Sequence, residues 1–262
     1  MAKQPIKFTV VTVTYNAASL IARTIESVEQ QDHPAVEHLI IDGNSTDATL
    51  EMVHHYMERN SVAQVQHEVN CLSEPDEGIY DAMNKAFSLM TGRYIVFLNA
   101  GDTFPTPTTL SELAALAESQ SRHPAVIFGD TNIVDAEGRF IRPRRLAPSA
   151  DLTWHDFKHG MLICHQAFYA RTDIASGINY DRRYRFSADY DWTLRIMKEA
   201  ERRGESMKYS GSVVACYLSE GATLRNHRRS LWERLLIMAR HFGWPTALAQ
   251  HGWFVIRAII KK

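Results

Sequence analysis

Four aspartates stand at the ends or openings of apolar segments, where a carboxylate can reach a ligand. Asp42 closes the apolar run 36–41 and is followed by Gly43-Asn44-Ser45-Thr46-Asp47. A carboxylate there can accept hydrogen bonds from a nucleobase N–H or from ribose hydroxyls. Ser45, Thr46 and Asp47 already offer caps for the next helix, so Asp42 is not needed for that role. Asp102 ends the segment Phe97-Leu-Asn-Ala-Gly-Asp. One carboxylate together with diphosphate oxygens can hold Mg²⁺, and the plainer alternative is a turn residue ahead of Pro105. Asp81, Asn84 and Lys85 lie at i, i+3 and i+4 and share one helix face, beside an apolar stripe of Tyr80, Met83 and Phe87. That face lines a cleft or simply meets solvent.

Asp189 and Asp191 open a later helix two residues apart, about 200° around its axis, so they cannot both face one cleft. Asp191 can pair with Arg195 at i+4. Asp189, at a helix N-terminus whose dipole keeps it ionised, is the better general base, with helix capping as its alternative. His155, His159 and His165 have a spacing that could place the first two on one helix face, but no HExxH pattern is present. His165-Gln166 reads instead as part of a substrate-facing surface.

The elements that must position these residues alternate along the first 130 positions. Strand patterns fall at 8–14, 36–41, 62–69, 94–98 and 125–128. Helical patterns fall between them, at 20–28, 48–57, 80–90 and 110–117. Such alternation means βαβ units and a mostly parallel sheet, with ligands beyond the carboxyl ends of the strands. Tyr15-Asn16, Asp42–Ser45 and Asn99–Asp102 all lie at such ends. The second half is less regular. It has a hairpin over 133–141, a strand-like stretch at 162–169 containing His165, a helix at 188–200, a strand at 213–218 and two C-terminal helices.

Composition narrows the class. The chain has 262 residues, 45 % hydrophobic and 23 % charged, ordinary for a globular protein. Its formal net charge of −1 argues against a nucleic-acid partner. That sum hides a split. Residues 225–262 carry eight basic residues and one acid, Glu233, for +7, while the rest carry 21 basic and 29 acidic, for −8. Cys71, Cys164 and Cys216 form no CxxC pair, which suggests a reducing compartment. No signal-peptide pattern or run of about 18 apolar residues is seen, so a cytoplasmic location is expected.

In combination these segments resemble the family 2 glycosyltransferases, inverting enzymes of the GT-A fold. The resemblance covers most of the chain, from Phe8 to Gly221. Its pieces are Val-Thr-Val-Thr-Tyr-Asn at 11–16, Ile-Asp-Gly-Asn-Ser-Thr-Asp-Ala-Thr at 41–49 and Glu-Gly-Ile-Tyr-Asp-Ala-Met-Asn-Lys at 77–85. Further on come Gly-Arg-Tyr-Ile-Val-Phe-Leu-Asn-Ala-Gly-Asp at 92–102, Ile-Cys-His-Gln-Ala-Phe-Tyr at 163–169 and Ala-Asp-Tyr-Asp-Trp at 188–192. Bacterial members that build surface polysaccharides or glycolipids are the most similar.

The resemblance implies an α/β GT-A fold with C-terminal amphipathic helices. It divides the chain into a catalytic domain at 1–224, with a nucleotide-sugar half at 1–130 and an acceptor half at 131–224, and a basic extension at 225–262. It implies a nucleotide-diphosphate sugar donor, with UDP as the default, and a saccharide or lipid-linked acceptor. Thr14, Tyr15, Asn16, Asp42, Ser45, Asp81, Asn84 and Lys85 would hold the donor. Asp102 would hold Mg²⁺ or Mn²⁺, His165 and Gln166 would lie near the acceptor, and Asp189 would be the base. Two positions depart from the family pattern. The DxD region reads Asn99-Ala100-Gly101-Asp102, and the usual Glu-Asp pair reads Ala188-Asp189. Two other classes were weighed. A sugar-phosphate nucleotidyltransferase should carry a Gly-rich basic loop where this chain has Tyr15-Asn-Ala-Ala-Ser, and a non-catalytic nucleotide-sugar binder would bind without transfer. The basic extension, with Trp232, Trp244, Trp253, Phe254, Ile256, Ile259 and Ile260, has the makings of a peripheral contact with the anionic inner leaflet. A solvated helix packed on the domain weighs about equally.

Overall fold

The protein is described by a computed structural model covering residues 4–219 and 227–260; side chains at 227–228 and 253–260 lie outside the description. The expectations placed on Arg225 and on the side chains from Trp253 onward therefore fall outside the described residues. Eight strands form one mixed sheet. They are β1 (Phe8–Thr14), β2 (Val36–Asp42), β3 (Glu68–Ser73), β4 (Tyr94–Phe97), β5 (Val126–Val134), β6 (Phe140–Pro143), β7 (Phe168–Arg171) and β8 (Met207–Leu218). The order is β3-β2-β1-β4-β7-β5-β6, with β8 also on β5. β1 runs parallel to β2 and β4, β2 to β3, and β5 to β8. β7 is antiparallel to both β4 and β5, and β6 closes a hairpin with β5.

Every residue of β1 and β2 is buried, because helices cover both faces of the parallel part. The helices are α1 (Ala18–Glu29), α2 (Thr49–Ser61), α3 (Ile79–Leu89), α4 (Thr109–Glu118), the short α5 (Thr172–Ala175), α6 (Ala188–Arg202), α7 (His227–Phe242) and α8 (Trp244–Ile260). Polar residues inside the parallel sheet bond one another. Thr9 donates to the buried Glu37 and Thr12 donates to the Leu98 carbonyl. Burial pushes His38 down to about 3, so it is a neutral core histidine between Thr12 and Tyr56.

Four elements differ from the sequence expectation, among them the last strand, which starts at Met207 and not at 213. The third strand lies at Glu68–Ser73, not at 62–69, and α2 runs on to Ser61. Val62 and Val65 are exposed, so the apolar character of that stretch is not spent in the core. The real strand alternates because it is a sheet edge. The segment at 162–169 is a 3-10 turn, His165–Ala167, leading into a short β7. That break in the strand turns His165 toward the carboxyl end of β4.

The C-terminal helices are tied to the domain. Glu233 of α7 accepts the backbone N–H groups of Arg185 and Phe186 at 2.9 and 2.8 Å, just ahead of α6. His241 meets Asp191 at 2.8 Å, and Ile237, Met238 and Ala247 are buried. No helix among the described residues is long and apolar enough to cross a membrane.

Candidate active site

The parallel register sets the ends of three strands side by side, with Asp42 opposite Thr14 on one side and Ser73 on the other. Asp42 is fully buried. Its Oδ2 accepts the Ser45 N–H at 2.8 Å and the Ser73 hydroxyl at 2.7 Å, and its Oδ1 accepts the Ser45 hydroxyl. Ser45 in turn accepts the Asn16 N–H at 2.8 Å, and Asn16 Oδ1 accepts the Thr46 N–H at 2.8 Å. Asn16 sits at φ 46°, a left-handed conformation that asparagine tolerates. This tight turn leaves Tyr15 64 % exposed beside Gly43, where a flat ring could stack. A Cβ on Gly43 would lie 2.5 Å from Asp76 Oδ2 and 3.3 Å from the Tyr15 ring, so the glycine keeps this floor open. Thr14 Oγ1 is buried with no partner among the described residues. Ser73 and Asp76 belong to this cluster, and no periodicity marks them.

Asp81, Asn84 and Lys85 do share a face of α3, but each holds protein. Asn84 clamps the Tyr180 backbone with both ends of its amide, at 3.0 and 2.7 Å. Lys85 donates to the Pro75 carbonyl and pairs with Glu74, both at 2.9 Å. Asp81 pairs with Arg182 at 2.9 Å and accepts the Glu77 N–H. They shape the wall between strand ends and second half.

A second cluster gathers around Asp189. It lies in the first turn of α6, where the dipole favours an anion. Its Oδ1 accepts the Tyr80 hydroxyl at 3.1 Å and the Tyr190 N–H at 2.9 Å, while its Oδ2 faces His165 Nδ1 at 3.5 Å. The other ring nitrogen of His165, Nε2, lies 3.1 Å from the Asn99 amide nitrogen. Burial pushes the Asp189 carboxyl up, but the His165 contact, the Arg234 charge and the Tyr80 hydrogen bond outweigh it and hold the group below its ordinary value. Burial, with Asp189 nearby, drives the Tyr80 phenol well above its ordinary range, so Tyr80 acts only as a donor. A stack of Tyr80 on Tyr180 on Trp192, with ring centroids 5.3 and 5.0 Å apart, fixes that phenol from beneath. Asp191 turns away and is buried against Arg195 at 2.7 Å.

Asp102 is 4 % exposed, and both of its oxygens are taken. Oδ1 accepts the Leu218 N–H at 3.0 Å and Oδ2 accepts the Gln166 amide at 2.6 Å, tying β4 to the end of β8. Burial pushes its carboxyl up to about 6. Gln166 is fully buried, so it positions Asp102 and presents nothing to an acceptor. Gly101, at φ +100°, offers no side chain, and a Cβ there would meet Leu218 at 2.8 Å. As a metal ligand Asp102 does not fit this arrangement, since its carboxylate is buried and each oxygen is turned to a protein donor. No cluster of three or more metal-ligating side chains occurs among the described residues.

Residues 9–184 match the sequence pattern of glycosyl transferase family 2, well over half the chain. The chain belongs to this family. Among its relatives is a PGL/p-HBAD biosynthesis glycosyltransferase of Mycobacterium tuberculosis, 29 % identical over 211 residues, covering 80 % of this chain and 76 % of the relative. An amylovoran biosynthesis glycosyltransferase of Erwinia amylovora is 26 % identical, covering 78 % and 75 %. The fold is shared with S. aureus TarS, solved with UDP, at a TM-score of 0.67 and 20 % identity, over 90 % of this chain and 67 % of that one. It is shared also with a mannosyltransferase of Pyrobaculum calidifontis, solved with GDP-Man and Mn²⁺, at 0.60 and 18 %, over 94 % and 74 %. The glycosyltransferase thus has the α/β GT-A architecture expected from its strand–helix alternation.

Proposed function

We propose that this glycosyltransferase moves a sugar from a nucleotide-diphosphate donor, UDP-linked by default, to a hydroxyl of a saccharide or lipid-linked acceptor with inversion. One observation carries the reading: Asp189 is a partly accessible carboxylate, its side chain 17 % exposed, held ionised within a protein-built ring of donors. The remaining lone pair of its Oδ2 can take the proton of an acceptor hydroxyl as that oxygen bonds to the anomeric carbon. The bond from that carbon to the diphosphate oxygen breaks, and its electron pair leaves with the nucleoside diphosphate. Attack opposite the leaving group inverts the centre, through a transition state of oxocarbenium character.

The donor's nucleotide is assigned to the strand-end cluster. Asp42, its buried carboxylate held by Ser45 and Ser73, would fix the loops that meet the base and ribose, the Tyr15 ring would stack on the base, and Thr14 and Asn16 would line the floor. His165 is the acceptor-side residue nearest the base. A structural neighbour was solved in complex with GDP-Man and Mn²⁺, and Mg²⁺ or Mn²⁺ would screen a departing diphosphate here. The donor set around Asp102 gives no step to such an ion, so EDTA treatment followed by Mn²⁺ titration measures the requirement directly. Names of relatives in glycolipid and exopolysaccharide biosynthesis support an acceptor at a bacterial surface-polymer or glycolipid assembly site.

Peripheral membrane contact is the reading for the outer face of the C-terminal helices, where Trp232, Trp244 and Leu248 are 61, 54 and 57 % exposed. Because α7 also packs into the domain, point changes test this better than truncation. Trp232→Ala, Trp244→Ala and Leu248→Ala combined should reduce sedimentation with phosphatidylglycerol vesicles, and unchanged binding removes the contact. The catalytic reading is tested by screening nucleotide sugars for nucleoside diphosphate release and then repeating the assay with Asp189→Asn. Near-normal turnover by that variant removes Asp189 from the base role.

A further inference from the structure

The position that opens the DxD region in this chain is an amide, Asn99, and its side chain reaches toward the base, not toward a metal. Asp189 Oδ2 faces His165 Nδ1 at 3.5 Å, and an ionised carboxylate can only accept, so a hydrogen bond between them requires the proton on that nitrogen. In the neutral ring the opposite nitrogen, Nε2, is then an acceptor. The Asn99 Nδ2 group lies 3.1 Å from it and supplies the matching N–H. In that tautomer the donors run one way, from Asn99 through His165 to Asp189, and the contacts cross from the end of β4 to the start of α6.

We infer that Asn99 and His165 are positioning residues for the base: Asn99 sets the His165 tautomer, and His165 orients the Asp189 carboxylate toward the acceptor hydroxyl. This rests on the proposed base role of Asp189 and adds two residues to it. His165 is not itself the base in this arrangement, because its only acceptor nitrogen is occupied by Asn99. With the Asn99 amide nitrogen turned to His165 and Asp102 held by Leu218 and Gln166, the strand end braces the proton-accepting side of the site, while Asn99 Oδ1 is buried with no partner among the described residues. The amide at position 99 is a functional part of the network. An aspartate there would face Nε2 with a second acceptor and would favour the doubly protonated ring. That would leave Asp189 paired with a full positive charge and make it a weaker base. The other groups around Asp189 are Tyr80 of α3, Arg234 of α7, Tyr190 of α6 itself and, further out, Tyr180, Cys164 and Tyr217. Of these, Arg234 alone carries a standing positive charge.

Two substitutions of His165 separate the roles, since an asparagine amide nitrogen falls near the place of Nδ1 and a glutamine amide near that of Nε2. His165→Asn keeps a donor for Asp189 and should retain kcat within about 5-fold. His165→Gln keeps the Asn99 contact but loses that donor, and kcat should fall about 10–100-fold with the donor dissociation constant unchanged. The acid limb of the pH–rate profile should move to higher pH in His165→Gln. Asn99→Asp should lower kcat about 10-fold, with no gain on adding Mn²⁺.

A readout free of turnover keeps this separate from the functional proposal. Long-range ¹H–¹⁵N spectra of histidine-labelled full-length protein at pH 8.5, with the His165 signals identified by their loss in His165→Gln, should show the Nδ1–H tautomer. The spectra of Asn99→Ala should show that preference weakened. An Nε2–H tautomer in the unsubstituted protein, or a tautomer indifferent to Asn99→Ala, overturns the network even if Asp189 proves to be the base. Equal collapse of His165→Asn and His165→Gln to the level of Asp189→Asn overturns it in another way, by making His165 the base. Activation of Asn99→Asp by Mn²⁺ would place residue 99 on the diphosphate instead.

Discussion

The two polar clusters of this enzyme are built on different principles. At the ends of β1, β2 and β3, partners come mainly from neighbouring loops: Asp42 with Ser45 and Ser73, and Asn16 with Ser45 and Thr46. Hydrogen bonds there hold the loops in shape and leave an exposed aromatic ring. Around Asp189 the partners come from α3, the end of β4 and the 165–167 turn, and they converge on one half-buried carboxylate. On the proposed function the first cluster is a docking surface whose loss should be read in affinity, and the second a tuned group whose loss should be read in turnover.

The sharpest way to break this comparison is Asp189→Asn, which keeps shape and removes basicity. Turnover should fall roughly 10²–10⁴-fold with donor binding intact, measured by kinetics and calorimetry. Asp42→Asn should do the reverse. The Ser45 and Ser73 donors would face a weaker, neutral acceptor, and a lost charge-assisted bond of about 1.5–3 kcal/mol predicts donor affinity lowered roughly 10–100-fold, with kcat nearly kept. If both variants shift the same parameter, the clusters are not separate.

The pH profile distinguishes them further. Burial would raise the Asp189 carboxyl, but His165, Arg234 and Tyr80 together hold it low. Its ionised form therefore persists below the ordinary carboxylate range, and any stability it contributes is present above the unfolded value and lost as pH falls through the folded one. Replacing His165 by Gln leaves burial less opposed, so the acid limb of kcat moves upward. Asp42→Asn should leave the limb in place.

Asn84→Ala tests the wall between the clusters. Losing two hydrogen bonds to the Tyr180 backbone should cost about 1–3 kcal/mol and lower Tm by several degrees, with donor affinity little changed. A large affinity loss without loss of Tm would instead place Asn84 on the donor. The smallest effect is expected from Gly43→Ala, where the crowded neighbour is the movable Asp76 side chain. Donor affinity should fall only a few-fold, with stability unchanged.

Much of the first cluster was legible in sequence because its geometry is local. A strand end followed within five residues by Asp42, Ser45 and Asp47 confines what those side chains can reach. The N-cap position of α2 is Ala48, and Asp47 just ahead of it accepts the Thr49 N–H and the Ala18 N–H at the start of α1. Ser73 was invisible because β3, an alternating edge strand, carries no apolar run to mark its end. The second cluster was legible only in part. Helix geometry separated Asp189 from Asp191, as the Asp191–Arg195 pair bears out. Tyr80 reads as one member of an apolar stripe, and its hydroxyl acquires a role only where α3 crosses the start of α6. The face shared by Asp81, Asn84 and Lys85 was visible, but not that Tyr180, Arg182 and Glu74 would occupy it.

By itself the sequence determined the alternation of elements, the family, the strand ends that face the ligand side and the acids most able to do chemistry. These follow from periodicity and from short-range turn chemistry, which act within a few residues. Only the tertiary structure decided which polar groups own one another. Asp102 belongs to Leu218 and Gln166, Glu233 caps the approach to α6, and Asn99 reaches Asp189 through His165. The physical reason is that a buried donor or acceptor must be satisfied by whatever packing brings within about 3 Å. In a mixed sheet whose paired residues lie as far apart in sequence as Phe8 and Tyr94, strand order and register make that choice.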